Sequence, residues 1–249
     1  MRSDLRAYTR RNLKKSFIER FFSRLSVTGW LILINVVFFI LATTIITINS
    51  SYLNYIALKP SDILQGKYLW TFLTSMFMHA PSTAVFPISL LSIHLFVNMF
   101  VLFSLGSFCE RLIGKKRFFW FYIISGLLAG GLFVLLAGLY GNSLIGEKLF
   151  GSPLISAVGA SGAIFAIAGL FMILMPNMRF AIIFLPFFTL PAYIMIPLVL
   201  LLTWAVSAGT GLPVGNTAHL GGFLAGVIYG IYLRNKFPKK VKMLNKYIQ

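Results

Sequence analysis

The chain has 249 residues, of which 58% are hydrophobic and 11% are charged. A soluble domain of this length could not bury so much apolar surface, so the composition excludes the soluble classes and predicts an all-α polytopic membrane protein. A formal net charge of +17 would suggest a nucleic-acid partner in a soluble protein. Because the basic residues lie in short blocks between apolar runs, membrane topology explains them better, so we expect a lipid bilayer and no nucleic acid as the surroundings.

The first 27 residues are strongly basic and lack the pattern of a cleavable signal peptide. Within them, residues 16–25 place Phe and Leu side chains among Arg and Lys. This mixture is typical of an interfacial amphipathic helix on anionic lipid, and a disordered basic tail is the alternative.

Apolar runs predict six membrane-spanning helices, since one span needs about 20 mostly apolar residues. The first four cover residues 27–49, 88–109, 118–140 and 154–175. Residues 180–233 contain no charged side chain and are long enough for two further spans. A Gly- and Pro-rich loop at 207–216 divides them, so the fifth span ends near Val206 and the sixth covers 216–233. Three prolines make the start of the fifth span irregular: Pro186, Pro191 and Pro197.

The basic residues also predict how the spans are oriented. Six spans place both termini on one side of the membrane. Of the 22 Lys and Arg residues, three fall in connections on the opposite side (Lys59, Lys67 and Lys148), which leaves 19 on the side of the termini, here called the basic side. Because basic connections stay in the cytoplasm, both termini are predicted to be cytoplasmic, in a prokaryotic plasma membrane.

The fourth predicted span contains the sequence Gly159-Ala-Ser161-Gly162. At 1.5 Å per residue, Ser161 would lie about 10 Å below the outer end of this span. The flanking glycines would leave its hydroxyl approachable and admit a substrate backbone. A packing face of small residues, common where membrane helices meet, is the alternative.

The sixth predicted span contains His219, followed by Gly222, Gly226 and Gly230 at a spacing of four. Glycines at this spacing let a neighbouring helix approach closely. If the neighbour is the fourth span, His219 and Ser161 come within hydrogen-bond distance. A histidine bonded to a loop carbonyl is the alternative.

The second predicted span contains His94 and Asn98, which share a helix face at a spacing of four. Polar side chains facing lipid are costly, so this pair should face protein or a water-filled cavity. An interhelical hydrogen-bonding pair is the alternative. Together, the polar sites on spans two, four and six lie at similar outer depth and supply a nucleophile, a base and two donors, as acyl transfer requires.

No acidic residue is predicted to lie inside a span. The five in the chain are Asp4, Glu19, Asp62, Glu110 and Glu147. A Ser–His dyad is therefore expected rather than a triad. The same absence, with no His-Glu-x-x-His run, argues against a zinc site and against a two-aspartate protease, so no metal or cofactor is expected.

In this order and on these spans, the motifs resemble those of the rhomboid family of intramembrane serine proteases. The segments 70–79 and 110–114 are also similar to the family, and the resemblance covers roughly residues 70 to 230. It implies a six-helix bundle over residues 28–234, with basic cytoplasmic segments at 1–27 and 235–249. Its cavity would open on the outer side, span five with the 207–216 loop would act as the substrate gate, and the connection at 50–87 would be a membrane-embedded flank.

The resemblance also implies a role for each motif. Ser161 would be the nucleophile that attacks single-span membrane proteins within or next to their transmembrane segment, and His219 would be its general base and acid. His94, Asn98 and the Ser161 backbone N–H would hold the oxyanion. Four further residues would serve substrate contact or helix packing: Gly159, Gly162, Phe165 and Gly222.

Two departures from the family pattern concern neighbours of this site. Phe165 stands where some members carry Tyr, so ring stacking survives without a hydroxyl, and the Trp-Arg pair that some bacterial members carry in the first loop is absent. His79 is expected to bond either loop backbone or water. A non-catalytic relative that binds transmembrane clients is the alternative function. A transporter fits less well because the polar residues cluster in the outer half only.

Overall fold

The computed structural model describes residues 25–80, 92–182, 185–210 and 215–246, and most of them are helical. In this part, four helices are long and apolar enough to cross a membrane: α1 (Val27–Ile48), α4 (Ile93–Ile113), α5 (Lys115–Tyr140) and α8 (Ala192–Thr210). A shorter apolar helix, α7 (Ser161–Leu174), and the glycine-rich α9 (Asn216–Lys236) occupy the places of spans four and six. The protein is thus a polytopic helical membrane protein. The interfacial helix predicted at 16–25 falls almost entirely outside the described residues.

Short helices lie between these elements. After α1 come a 3₁₀ turn at Ser50–Tyr55 and two short helices, α2 (Pro60–Leu64) and α3 (Thr71–Thr74). Helix α6 (Leu144–Phe150) lies between α5 and α7, and α10 (Pro238–Lys246) follows α9. Helix α4 contains a π-helical turn at Leu102–Gly106.

The fourth predicted span is wrong at its start. Residues 152–160 are not helical, and α7 begins at Ser161 itself. Ala157 pairs with Leu58 in a short antiparallel bridge, and Gly159 has a φ of +131°, which lies outside the helical region. Ser161 therefore lies at the N-terminus of its helix, not seven residues into one.

The start of the fifth predicted span is also wrong. Two strands, β1 (Arg179–Ile182) and β2 (Leu185–Pro191), pair antiparallel before α8 begins. Pro186 and Pro191 lie five residues apart, and proline in a helix interior removes a hydrogen bond and clashes with the preceding turn. Apolar composition alone predicts helix here, whereas the prolines disfavour a helix, and a two-stranded hairpin tolerates them because both of its strands are edge strands.

Helices α7 and α9 pack at the centre of the bundle, with α5 against both. A Cβ on Gly222 would overlap the Gly162 carbonyl oxygen, and one on Gly226 would overlap the Ala166 carbonyl oxygen. The glycine spacing thus brings the two backbones into direct contact, as the sequence predicted.

Glu110 differs from its predicted position outside the spans. It lies within the last turns of α4, is buried, and accepts hydrogen bonds from the backbone N–H groups of Val27 (3.0 Å) and Thr28 (2.8 Å) and from the Thr28 hydroxyl (2.8 Å). A carboxylate here satisfies the free amides at the N-terminus of α1. Its place on the basic side of α4, four turns from His94, gives it a structural role remote from Ser161.

Candidate active site

Ser161 and His219 meet where α7 contacts α9. The Ser161 hydroxyl and His219 Nε2 are 2.8 Å apart. Ser161 opens α7 and His219 lies in the first turn of α9, so both groups sit at the same end of the central helix pair. The close contact at Gly162 and Gly222, one residue and three residues further along, holds the two helix ends at this distance.

Phe165 and His219 stack, with ring centroids 4.5 Å apart and an interplanar angle of 28°. Phe165 lies one turn after Ser161 on α7, so the same helix carries both the hydroxyl and the ring that supports the imidazole. His219 is buried, and its Nδ1 has no hydrogen-bond partner among the residues that the structure describes. Packing, not a carboxylate, orients the ring.

His94 lies near the same hydroxyl, and Gly159 is next to both groups. A Cβ on Gly159 would lie 3.1 Å from His94 Nε2 and 3.6 Å from the Ser161 Oγ. Glycine is required at position 159 both by this crowding and by its positive φ. His94 Nδ1 accepts the Ala80 N–H at 3.2 Å, so in the neutral ring the proton is on Nε2, which faces the serine.

Asn98 lies one turn below His94, is buried, and borders the same cavity. Its Nδ2 donates to the His94 carbonyl at 2.8 Å. An amide nitrogen carries two hydrogens, so one N–H of Asn98 is left for another acceptor.

The first turn of α7 supplies backbone donors. The first hydrogen bond of this turn runs from the Ile164 N–H to the Ala160 carbonyl, which leaves the amides of residues 161–163 outside the helical ladder. Such amides, with the helix dipole behind them, favour negative charge at the helix N-terminus.

A cavity of about 1040 Å³ holds these groups. Ser161, His219, His94 and Asn98 all border it, together with apolar side chains of spans two to five. Within the described residues, no group of three metal-binding side chains is close enough to hold a metal ion.

Comparison with known proteins agrees with this arrangement. The family model for the rhomboid domain matches residues 66–236, more than half of the chain. The chain belongs to the rhomboid family. The resemblance drawn from the sequence motifs is thereby confirmed, as is the helical membrane fold.

Named relatives of this rhomboid chain come from several eukaryotes. Rhomboid protein 1, mitochondrial, of Saccharomyces cerevisiae is 33% identical over 59% of this chain and 40% of its own length. The human presenilin-associated rhomboid-like protein, mitochondrial, is 31% identical over 56% of this chain and 34% of its own. RHOMBOID-like protein 4 of Arabidopsis thaliana is 28% identical over 71% of this chain and 37% of its own. The aligned segments thus cover about two fifths or less of the relatives' length.

Two contacts that the sequence did not predict attach spans five and six of this rhomboid to α6. The Trp204 indole N–H of α8 donates to the Leu149 carbonyl at 2.8 Å, and the Thr217 hydroxyl of α9 donates to the Phe150 carbonyl at 3.2 Å. Both acceptors are in the last turn of α6, whose carbonyls have no partner within that helix. Spans five and six are therefore both attached to the end of α6.

His79 lies beside the site of this rhomboid without joining it. Its ring is fully buried, 5.1 Å from the His94 ring between centroids. Burial and, to a lesser extent, His94 lower the pKa of His79 to about 3, so the ring is neutral. The Phe77 backbone acts in the opposite direction, since it favours the charged form of the His79 ring. However, no described group makes a hydrogen bond of normal geometry to either nitrogen of that ring. The predicted bond to loop backbone is thus not found there.

Proposed function

We propose that this rhomboid is an intramembrane serine endopeptidase that cleaves single-span membrane proteins within or next to their transmembrane segment, using Ser161 and His219 as a dyad. The observation that carries the proposal is the 2.8 Å contact between the Ser161 hydroxyl and His219 Nε2 inside a cavity. A nucleophilic serine needs an adjacent base, and this pair meets the geometric requirement.

In the proposed reaction, His219 Nε2 removes the Ser161 proton as Oγ attacks the substrate carbonyl carbon. The resulting imidazolium then donates that proton to the leaving amine, and the C–N bond breaks to give an acyl-enzyme. Water, deprotonated by the same nitrogen, hydrolyses the ester and restores Ser161. The Phe165 stack holds the imidazole in place through both steps, which is the orienting role that a carboxylate has in a triad.

The oxyanion would be held by the Ser161 backbone N–H, His94 Nε2–H and the free N–H of Asn98. The bond from Ala80 to His94 Nδ1 supports this role because it keeps the proton on the nitrogen that faces the serine. Donors fixed before the reaction are worth about 10²–10³ in rate each.

The extended segment before Ser161 supplies a binding edge for the substrate backbone. Ala157 uses its N–H and its C=O to pair with Leu58 at 2.9 and 3.0 Å. Because successive residues of an extended segment point to opposite edges, the backbone groups of Ser156 and Val158 face away from Leu58. Both residues border the cavity, so an extended substrate would hydrogen-bond there before Gly159.

The orientation proposed from the charge distribution places both termini and the tail helix α10 in the cytoplasm and the active site toward the outer side, in a prokaryotic plasma membrane. Two of the relatives carry the word mitochondrial in their names, which describes those proteins. Integral membrane location holds for the chain in either compartment.

The test is cleavage of a single-span reporter co-reconstituted with the protein in lipid vesicles. We expect wild type to release the reporter's outer fragment, and Ser161→Ala and His219→Ala each to lose at least about a hundredfold in initial rate. Equal cleavage by wild type and Ser161→Ala contradicts the proposal. Binding of the reporter without cleavage by wild type would instead support a client-binding relative.

A further inference from the structure

The hairpin between spans four and five has two unlike faces. Strand β1 pairs antiparallel with β2, with Phe180 opposite Leu190 and Ala181 opposite Thr189. Phe180 points into the protein, where its ring lies 6.4 Å from that of Phe171 and borders the active-site cavity. This contact attaches one face of the hairpin to span four.

The other face is uncovered at Phe187, whose side chain is 100% exposed. Phe188 is about half exposed and, as the next residue of the strand, points to the opposite face. From residue 180 to residue 191 the chain has no charged side chain. A fully exposed aromatic side chain in such an apolar segment marks an interaction site, because leaving it in water is unfavourable.

The position of the hairpin indicates which surroundings cover this face. It begins at Arg179, five residues after α7 ends on the basic side, and it leads directly into α8 at Ala192. The hairpin therefore lies at the membrane boundary on the basic side. Tyr193 and Ile194, in the first turn of α8 that follows the hairpin, are also exposed, as expected of a spanning helix that faces lipid.

Backbone chemistry limits how deep the hairpin can lie. A two-stranded sheet has outer edges with free N–H and C=O groups, and these are not tolerated in the hydrocarbon centre. Arg179 also remains near the headgroups, where its Nε donates to the Thr189 Oγ1 at 3.0 Å and its Nη2 to the Thr189 carbonyl at 2.7 Å. Aromatic side chains beside such an edge are typical of the membrane interface.

We propose that the Phe187 face of the hairpin inserts into the interfacial region of the basic-side leaflet, with lipid acyl chains as its partner. The inserted hairpin fixes the basic-side end of span five to the membrane surface. Because Phe180 and Ala181 border the cavity, the lipid contact lies directly below the site.

The test uses a single nitroxide label at Phe187→Cys. The natural Cys109 is fully buried, so the introduced thiol is the reactive one in the part of the chain that the structure describes, and the chain contains no other cysteine. The labelled protein is reconstituted in vesicles of phosphatidylcholine and phosphatidylglycerol. Collision rates with oxygen, which concentrates in acyl chains, and with a water-soluble nickel chelate are measured by electron paramagnetic resonance.

Two matched sites calibrate the measurement: Leu201→Cys on the exposed side of α8, and Lys242→Cys on the exposed face of α10. We expect the oxygen-to-nickel ratio at position 187 to exceed that at 242 several-fold and to remain below that at 201. A ratio equal to that at 242 places the face in water and overturns the proposal. Low access to both reagents with an immobilised spectrum means protein contact, such as a second copy, and also overturns it. If Phe187→Cys does not fold, wild type is crosslinked in vesicles with a phosphatidylcholine that carries a photoactivatable acyl chain. A lipid adduct mapped by mass spectrometry to Phe187 supports the proposal, and its absence there overturns it.

Discussion

The Phe165 ring stacks on the His219 imidazole at a centroid distance of 4.5 Å, and no carboxylate takes part in the contact. If this stack orients the base, Phe165→Ala should lower kcat by about two- to tenfold, since an aromatic pair of this geometry is worth about 0.5–1.5 kcal/mol. Phe165→Tyr keeps the ring and should stay within about twofold of wild type. Initial rates on the vesicle reporter check both. An unchanged rate for Phe165→Ala would show that the Phe165 ring does not orient His219.

The contact between Gly222 and the Gly162 carbonyl sets the spacing of α7 and α9. Gly222→Ala should destabilise the protein by about 1–3 kcal/mol, because its Cβ overlaps backbone that cannot move alone. It should also slow cleavage by separating Ser161 from His219. Unfolding in mixed micelles measures the stability. The matched control is Gly131→Ala on α5, where a Cβ meets nothing within 4 Å and where alanine should be neutral or slightly stabilising.

Glu110 joins the end of span two to the start of span one through three hydrogen bonds. Glu110→Gln keeps the shape but removes the charge and one acceptor oxygen. Hydrogen bonds to charged groups contribute about 1.5–3 kcal/mol each, so we expect a loss of about 1–3 kcal/mol in the free energy of unfolding. The same micelle assay measures it. Because Glu110 is remote from Ser161, the rate per folded molecule should not change, and a large loss of rate would contradict a purely structural role.

Trp204 attaches span five to the end of α6 through one hydrogen bond of 2.8 Å. Trp204→Phe keeps the ring but removes the donor, which should favour separation of span five from α6. If span five must move for substrate to enter, reporter cleavage should become up to about tenfold faster, as one hydrogen bond contributes about 0.5–1.5 kcal/mol. Trp120→Phe, on the exposed side of α5, is the control and should have no effect. A slower Trp204→Phe enzyme would mean that the attachment aids catalysis.

Much of this arrangement is readable from the sequence. The hydrophobic runs and the placement of Lys and Arg predict the order of the long helices. Bilayer thickness sets the length of each apolar run, and the orientation of the spans sets which connections carry Lys and Arg. The glycines after His219 predict a close helix contact on that face for an equally local reason, since only a missing Cβ allows such an approach. Ser161, His219, His94 and Asn98 accordingly come together around one cavity.

The errors arise where apolar composition does not specify secondary structure. The fourth predicted span makes residues 154–160 helical, yet the bridge between Ala157 and Leu58 depends on a contact about 100 residues apart. The apolar side chains at 179–191 predict part of span five, although the prolines there disfavour a helix interior. Trp204 and Thr217 were missed since nothing local reveals that their acceptors are the last carbonyls of α6.

The most direct test of the dyad is covalent labelling of the serine. A fluorophosphonate probe reacts with a serine hydroxyl only when a base activates it. On the reconstituted protein, we predict one phosphonate adduct, mapped by mass spectrometry to Ser161, and none on Ser161→Ala. His219→Ala should react at least about a hundredfold more slowly, while Gly131→Ala should match wild type. An adduct at another residue, or equal labelling rates for wild type and His219→Ala, would contradict the account.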